Sequence, residues 1–342
     1  MGRVTALSRA VTTVTWMSHG SHEPDVDESR LEQAGLWYQC LTGRLSSKQT
    51  LFALGQHAGS EPDVGPEQRR RALERAPRTS GHRPGTSCAH ISAGAVLGSA
   101  LLGGRLDLFS AEFNLLADYP KIMAKLVPTK KFSPSQERVM KMGIDAKDGS
   151  PATIQAIGHA AMAARSIPED KFEMNMKVFL GDMKNIPQKM YITTIDCYTA
   201  ERLVIAPDSG VPVTTACAAS ASAPGVTGPT WVKDRVCMDG SIGSTETHCD
   251  IVAGSKRALV IALADTIEQE KAGLRLNHLP NTILQEVKDL EAGGTKTKLV
   301  VVGMLPGRKT LSVVDPAIME PAIQYGFERG IQDLPEMKRF WS

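Results

Sequence analysis

Two serines in the stretch PGTSCAHISAGAVLGSALLGG, residues 84–104, stand where a hydrolase could carry a nucleophile. A nucleophilic serine on an elbow needs small neighbours, because the chain turns sharply from strand into helix and a bulky side chain would clash there. Ser92 has the downstream half of that requirement, with Ala93, Gly94 and Ala95 following it. Ser87 has the upstream half, with Gly85 two residues before it. Neither completes G-x-S-x-G: His90 stands where Ser92 needs its first glycine, and Ala89 where Ser87 needs its last. Deleting CAHIS would leave GTSAGAVLGSALLGG, so the motif reads as split by five residues. With Pro84 and no β-branched apolar run, HRPGTSCAH predicts no strand ahead of the elbow. Ser92 keeps the register of the helix that follows, whose N-terminus favours developing negative charge, which makes it the preferred nucleophile and Ser87 the alternative.

A second group of residues lies at 214–254, TTACAASASAPGVTGPTWVKDRVCMDGSIGSTETHCDIVAG. A small-residue stretch, ASASAPG (Ala219 to Gly225), leads through a loop to a strand VCM and then to Asp239-Gly240. An Asp-Gly pair alone is an ordinary turn. In this order, after an S-A-G-A elbow that opens a small-residue helix, the combination resembles the patatin-like phospholipases over about residues 85–330. The resemblance implies a three-layer α/β/α fold with a mainly parallel central sheet and a Ser–Asp dyad, with Ser92 as nucleophile and Asp239 as its base. Gly94 and Gly240 are the elbow and turn glycines. It also implies a phospholipid or other acyl-ester substrate cleaved through an acyl-enzyme, with no cofactor and no metal. The family's glycine-rich oxyanion loop has no counterpart here, since the glycines of SHGSH, GQHAGS and GHRPG are isolated. Two other readings follow. One is a catalytically impaired relative that binds lipid or a protein partner. The other is an α/β-hydrolase with a Ser-Asp-His triad completed by His248 or His278.

The elements that must position these residues can be read from periodicity. ISAGAVLGSALLGG is apolar nearly all round and predicts a helix buried against a sheet. Ser133-Pro134 with Gln136 predicts a capping box, and Ser150-Pro151 a capped helix start. Phe172, Met176 and Phe179 recur at helical spacing after Pro168. KMYITTIDCYTAERLVIA reads as two strands joined at TAE. RALVIALAD and KLVVVGMLP read as buried strands with the amphipathic helix NTILQEVKDLEAGG between them, which implies a parallel crossover and an α/β sheet. A last helix contains PAIMEPAIQYGFERG.

Before residue 85 sustained periodicity is lacking, and segments such as GSEPDVGPEQRRR favour solvated loop. The division expected is therefore a divergent, poorly ordered region 1–84 and a hydrolase domain 85–335. The 342 residues carry 39 basic against 37 acidic side chains, a net charge of +2, and 42% apolar residues. That balance gives no field arguing for nucleic acid. Six cysteines without paired spacing point to reduced thiols and a cytoplasmic protein. No run reaches the roughly 18 apolar residues of a spanning helix, so no transmembrane segment is expected. The segment offering peripheral membrane contact is LVPTKKFSPSQERVMKMG, where Lys125, Lys130, Lys131, Arg138 and Lys141 accompany Phe132, Val139, Met140 and Met142.

Overall fold

The computed structural model describes residues 13–18, 88–106, 108–109, 112, 132–164, 169–243, 247–262, 282–302 and 319–341. Its strands are β1 (Thr13–Ser18), β2 (Cys88–His90), β3 (Met190–Asp196), β4 (Arg202–Ile205), β5 (Thr230–Val232), β6 (Arg235–Asp239), β7 (Arg257–Ala262) and β8 (Lys296–Val301). Its α-helices, numbered likewise in chain order, are α1 (Ala93–Leu102), α2 (Pro134–Asp145), α3 (Pro151–Ala163), α4 (Glu169–Leu180), α5 (Val213–Ser220), α6 (Ile283–Ala292) and α7 (Met319–Trp341).

All eight strands belong to one sheet in the order β5-β6-β3-β2-β1-β7-β8, with β4 also on β3. The sheet is mixed rather than mainly parallel. Only β2 with β3 and β7 with β8 pair parallel among the described strands. The β3–β4 hairpin and the β5–β6 hairpin bring antiparallel neighbours to one side, because short connections return the chain directly. The β7–α6–β8 unit is the crossover that its apolar runs predict. β7 is buried at all but its first residue, as a strand covered on both faces must be.

One expectation is corrected here. A strand does precede Ser92: Cys88–His90 pairs with Met190–Ile192 of β3 and with β1. It is held by its neighbours on both sides rather than by its own propensity, which is why its composition did not announce it. CAHIS is therefore the strand and entry to the elbow, not an insertion into it. Thr13–Ser18 lies inside the sheet, joining β2 to β7 with six paired positions on the β7 side. At the other end the structure runs past residue 335, since Met337 and Phe340 of α7 are core residues.

Helices cover both faces. On one, Ala95 and Ala100 of α1, Phe172, Met176 and Leu180 of α4, the small residues of α5, and Met337 and Phe340 pack against Met190, Ile192, Cys237, Leu259 and Ile261. On the other, Ile154 and Ile157 of α3 meet Ile195, Val236 and Met238, and Leu290 of α6 meets Ala258 and Val260. The alternation of 258 and 260 with 259 and 261 between the two faces is the period of two of a strand.

Local start signals are realised as read. Ser133 accepts from the Gln136 N–H while Gln136 returns to the Ser133 N–H, and Ser150 accepts from the Thr153 N–H. In α2, Val139 is buried and Met142 packs beside the Ile154 cluster, whereas Arg138 and Lys141 are exposed. Much of its apolar surface is thus turned into the protein. Lys125, Lys130 and Lys131 lie outside the described residues. Among the described residues no helix is long and apolar enough to cross a membrane.

Candidate active site

β2 ends at His90, and two residues later α1 begins with Ser92 at its N-cap. The chain can reverse this sharply only because Ser92 adopts φ 55° and ψ −128°, a backbone region that side-chain-bearing residues rarely occupy. Such a conformation costs on the order of 1–3 kcal/mol and persists only where its surroundings hold it. The strand, the strained serine and the small-residue helix together make the geometry of a nucleophile elbow. Gly94 is buried in the first turn and donates to the Ile91 carbonyl at 2.9 Å. Ser87 lies outside the described residues.

Below α1, the His90 ring occupies the position that a Cβ on Gly98 would need, at 2.3 Å. Gly98 is therefore the residue that lets a buried imidazole fit between strand and helix. Burial pushes the His90 pKa down to about 3, so the ring is neutral. His90 is a packing residue at the place where the sequence pattern asks for glycine.

β6 brings Asp239 to the same region. Asp239 pairs with Thr194 of β3, donates its N–H to the Ser222 carbonyl at 3.0 Å, and is fully buried. Its carboxylate accepts the Ser241 N–H at 2.9 Å, closing the Asp239-Gly240-Ser241 turn. Burial raises its pKa from 3.8 to about 6, while the Ser241 N–H, the Ser241 side chain and the Ser92 side chain pull it back down. The Ser92 side chain is therefore a near neighbour of the carboxylate. The pair stops short of full hydrogen-bond geometry, for Ser92 Oγ, Asp239 Oδ2 and Ser241 Oγ are all buried without a hydrogen-bond partner. Three unpartnered buried oxygens in one place are costly, and natural structures keep few of them.

Gly240 is required by close approach. A Cβ there would stand 2.5 Å from the Thr193 carbonyl oxygen and 3.0 Å from Ile91 Cγ2. From the other side His248 holds the turn, its Nε2–H donating to the Gly240 carbonyl at 2.8 Å. Arg202 meets His248 Nδ1 at 3.3 Å while gripping Asp250 with both guanidinium nitrogens. Burial, then Arg202, lowers the His248 pKa to about 4. Both ring nitrogens are thus engaged away from Ser92. His278 lies outside the described residues.

Several supporting groups were not visible as such in the sequence. Ser220 and Ser222 of ASASAPG contact the backbone at Ser92 and Asp239 respectively. Glu286 of α6, buried, accepts the Thr247 and Cys249 N–H groups at 2.8 Å each and so fixes the segment that carries His248. Glu286 shares a helical stripe with Ile283 and Leu290, but a carboxylate at that position reads from sequence as solvent-facing.

Among the described residues, no cluster of three His, Cys, Asp or Glu is placed to hold a metal. Cys197, Cys217, Cys237 and Cys249 are buried and form no disulfide, and burial pushes the first three thiols up to about 12, which makes them poor nucleophiles. A groove of about 510 Å³ lined by Lys177, Lys184, Val211 and Thr214 lies at the opposite end of α5 from Ser220, away from the Ser92 side chain. No family model matches the chain, and no curated protein matches it.

Proposed function

We propose that this chain is a serine acyl hydrolase of patatin-like type, with Ser92 as nucleophile and Asp239 as the base of a dyad. The observation that carries the reading is the strained, buried Ser92 at a strand-to-helix elbow beside a buried carboxylate whose pKa is raised to about 6. A carboxylate of ordinary pKa is a weak base toward a hydroxyl, and raising it toward neutrality improves it as a base while leaving it ionised at pH 7. The helices on both faces of the sheet fit the family's layered architecture, and the mixed pairing is where this chain departs from it.

In the first half-reaction Asp239 takes the Ser92 hydroxyl proton as Oγ bonds to the ester carbonyl carbon. The negative charge passes to the carbonyl oxygen. The Ala93 N–H, first in α1 and next to the nucleophile, is the backbone donor suited to meet it, aided by the helix dipole. The ester C–O bond then breaks, and the departing alkoxide takes the proton from Asp239. In the second half-reaction water gives a proton to Asp239 and adds to the acyl carbon. The Ser92–acyl bond breaks, Ser92 recovers its proton, and a carboxylic acid is released. The substrate class is an acyl ester such as a phospholipid, met by a cytoplasmic protein at a membrane surface.

A second reading, a patatin-like protein that binds lipid or a protein partner without turnover, is favoured by the burial of both dyad side chains, 1% exposed for Ser92 and 0% for Asp239. Turnover of p-nitrophenyl butyrate by the full chain separates the two. The hydrolase reading expects slow hydrolysis that Ser92→Ala and Asp239→Asn each reduce by about 1000-fold or more, with Ser99→Ala active. Hydrolysis equal in the parent and in Ser92→Ala leaves the binding reading.

A further inference from the structure

Ser220 takes no part in the bond-making steps, yet its hydroxyl joins the elements that carry them. It is completely buried at the end of α5. Its Oγ accepts the Ser92 N–H at 2.9 Å and donates its own proton to the Thr193 carbonyl at 2.7 Å. That carbonyl is also the atom against which Gly240 lies, 2.5 Å from where a Cβ would be. Thr193 and Thr194 stand in β3, and Thr194 is the strand partner of Asp239. One hydroxyl therefore spans from the nucleophile's own amide to the strand on which the carboxylate is registered.

We infer that Ser220 is a positioning residue of the acyl-transfer site, whose hydroxyl ties the strained Ser92 backbone to β3 and so sets the reach between Ser92 Oγ and Asp239. The inference rests on the hydrolase reading above. Its physical basis is that φ 55° at a serine is not self-sustaining: without a partner for its buried N–H, the elbow relaxes by rotation at Ser92 and carries Oγ with it. A displacement of about 1 Å at a reacting atom costs roughly 100-fold in rate. Contacts to the acyl chain do not pass through this hydroxyl, so the loss falls on kcat and leaves KM nearly unchanged.

Ser99 supplies the matched comparison. It too is fully buried, and its hydroxyl donates to Ala95 within α1, touching neither reacting group. The experiment measures kcat and KM on p-nitrophenyl butyrate, together with the rate of labelling by a fluorophosphonate, for the parent, Ser220→Ala, Ser220→Cys and Ser99→Ala. Thermal melts establish that each is folded. The expected result is a kcat about 10- to 100-fold lower in Ser220→Ala with KM within about threefold, an intermediate loss in Ser220→Cys, and Ser99→Ala within about threefold of the parent. Parent-like kcat in Ser220→Ala overturns the inference, as does an equal loss in Ser99→Ala. If Ser220→Ala does not fold, Ser220→Cys decides by the same criterion, since it keeps the size and only a weak acceptor. A parent that neither hydrolyses the ester nor takes the label at Ser92 overturns the hydrolase reading and this inference together. A labelled parent with an unaffected Ser220→Ala overturns this inference alone.

Discussion

Asp239 is held at a cost that is itself measurable. Its pKa stands at about 6 in the folded protein against an ordinary 3.8, chiefly because burial penalises the charged form. Between those two values the folded state binds more protons than the unfolded one, so stability falls as pH rises through that window, and the full penalty is present above about pH 6. It amounts to about 3 kcal/mol at neutral pH. Asp239→Asn removes the charge and keeps an acceptor for the Ser241 N–H. It should therefore raise the melting temperature at pH 7.5, by an amount that shrinks toward zero near pH 4, even as it abolishes turnover. The same ionisation governs the rate: kcat should climb with pH through an apparent pKa near 6, because only the carboxylate can take the Ser92 proton. A variant less stable than the parent at pH 7.5, or a rate flat from pH 5 to 8, would contradict this picture of the carboxylate.

The elements that carry the site were legible to different degrees. α1 announced itself because a helix wedged against a sheet must be made of small residues, and Gly98 over the His90 ring shows how little room there is. β7, α6 and β8 announced themselves by two continuous apolar runs with an amphipathic helix between. β2 did not, for three residues without a β-branched side chain carry no signal, and its pairing comes from distant partners in β1 and β3. Nor could the sequence show that Ser220 and Ser222 face the elbow and the Asp-Gly turn, because those contacts cross 128 and 17 positions of chain. The turn after β6 gives the prediction at this scale. Gly240→Ala would press a methyl group to 2.5 Å from the Thr193 carbonyl, and backbone there cannot rotate away. The expected outcome is a loss of about 1–3 kcal/mol in denaturant unfolding with at least 100-fold lower esterase kcat. Parent-like values in both would mean that β3 and the turn are not in that contact.

At the scale of the whole molecule, β1 matters most. It lies between the side of the sheet that carries Ser92 and Asp239 and the β7–β8 side, with paired positions on both. The stretch TVTWMS carries β-branched and aromatic residues at a strand's period of two, but it stands alone among segments without periodicity, so its place inside the sheet is visible only from its strand partners. The mixed sheet was hidden for the same reason: apolar runs report burial, whereas direction is set by how the connections return. If β1 joins the two sides as described, removing residues 1–84 should lower the melting temperature by more than about 10 °C or abolish cooperative unfolding. A truncated chain that melts with the parent would show that the sheet closes without it.

Covalent labelling reads the central claim most directly. The full chain is treated with a fluorophosphonate at pH 7.5, digested, and the adduct located by mass spectrometry of the peptide that spans the elbow. An active Ser92 beside an ionised Asp239 predicts a single adduct on Ser92, lost in Ser92→Ala and slowed by about 100-fold or more in Asp239→Asn. An unlabelled parent, or an adduct on Ser87 with Ser92 untouched, would contradict the account.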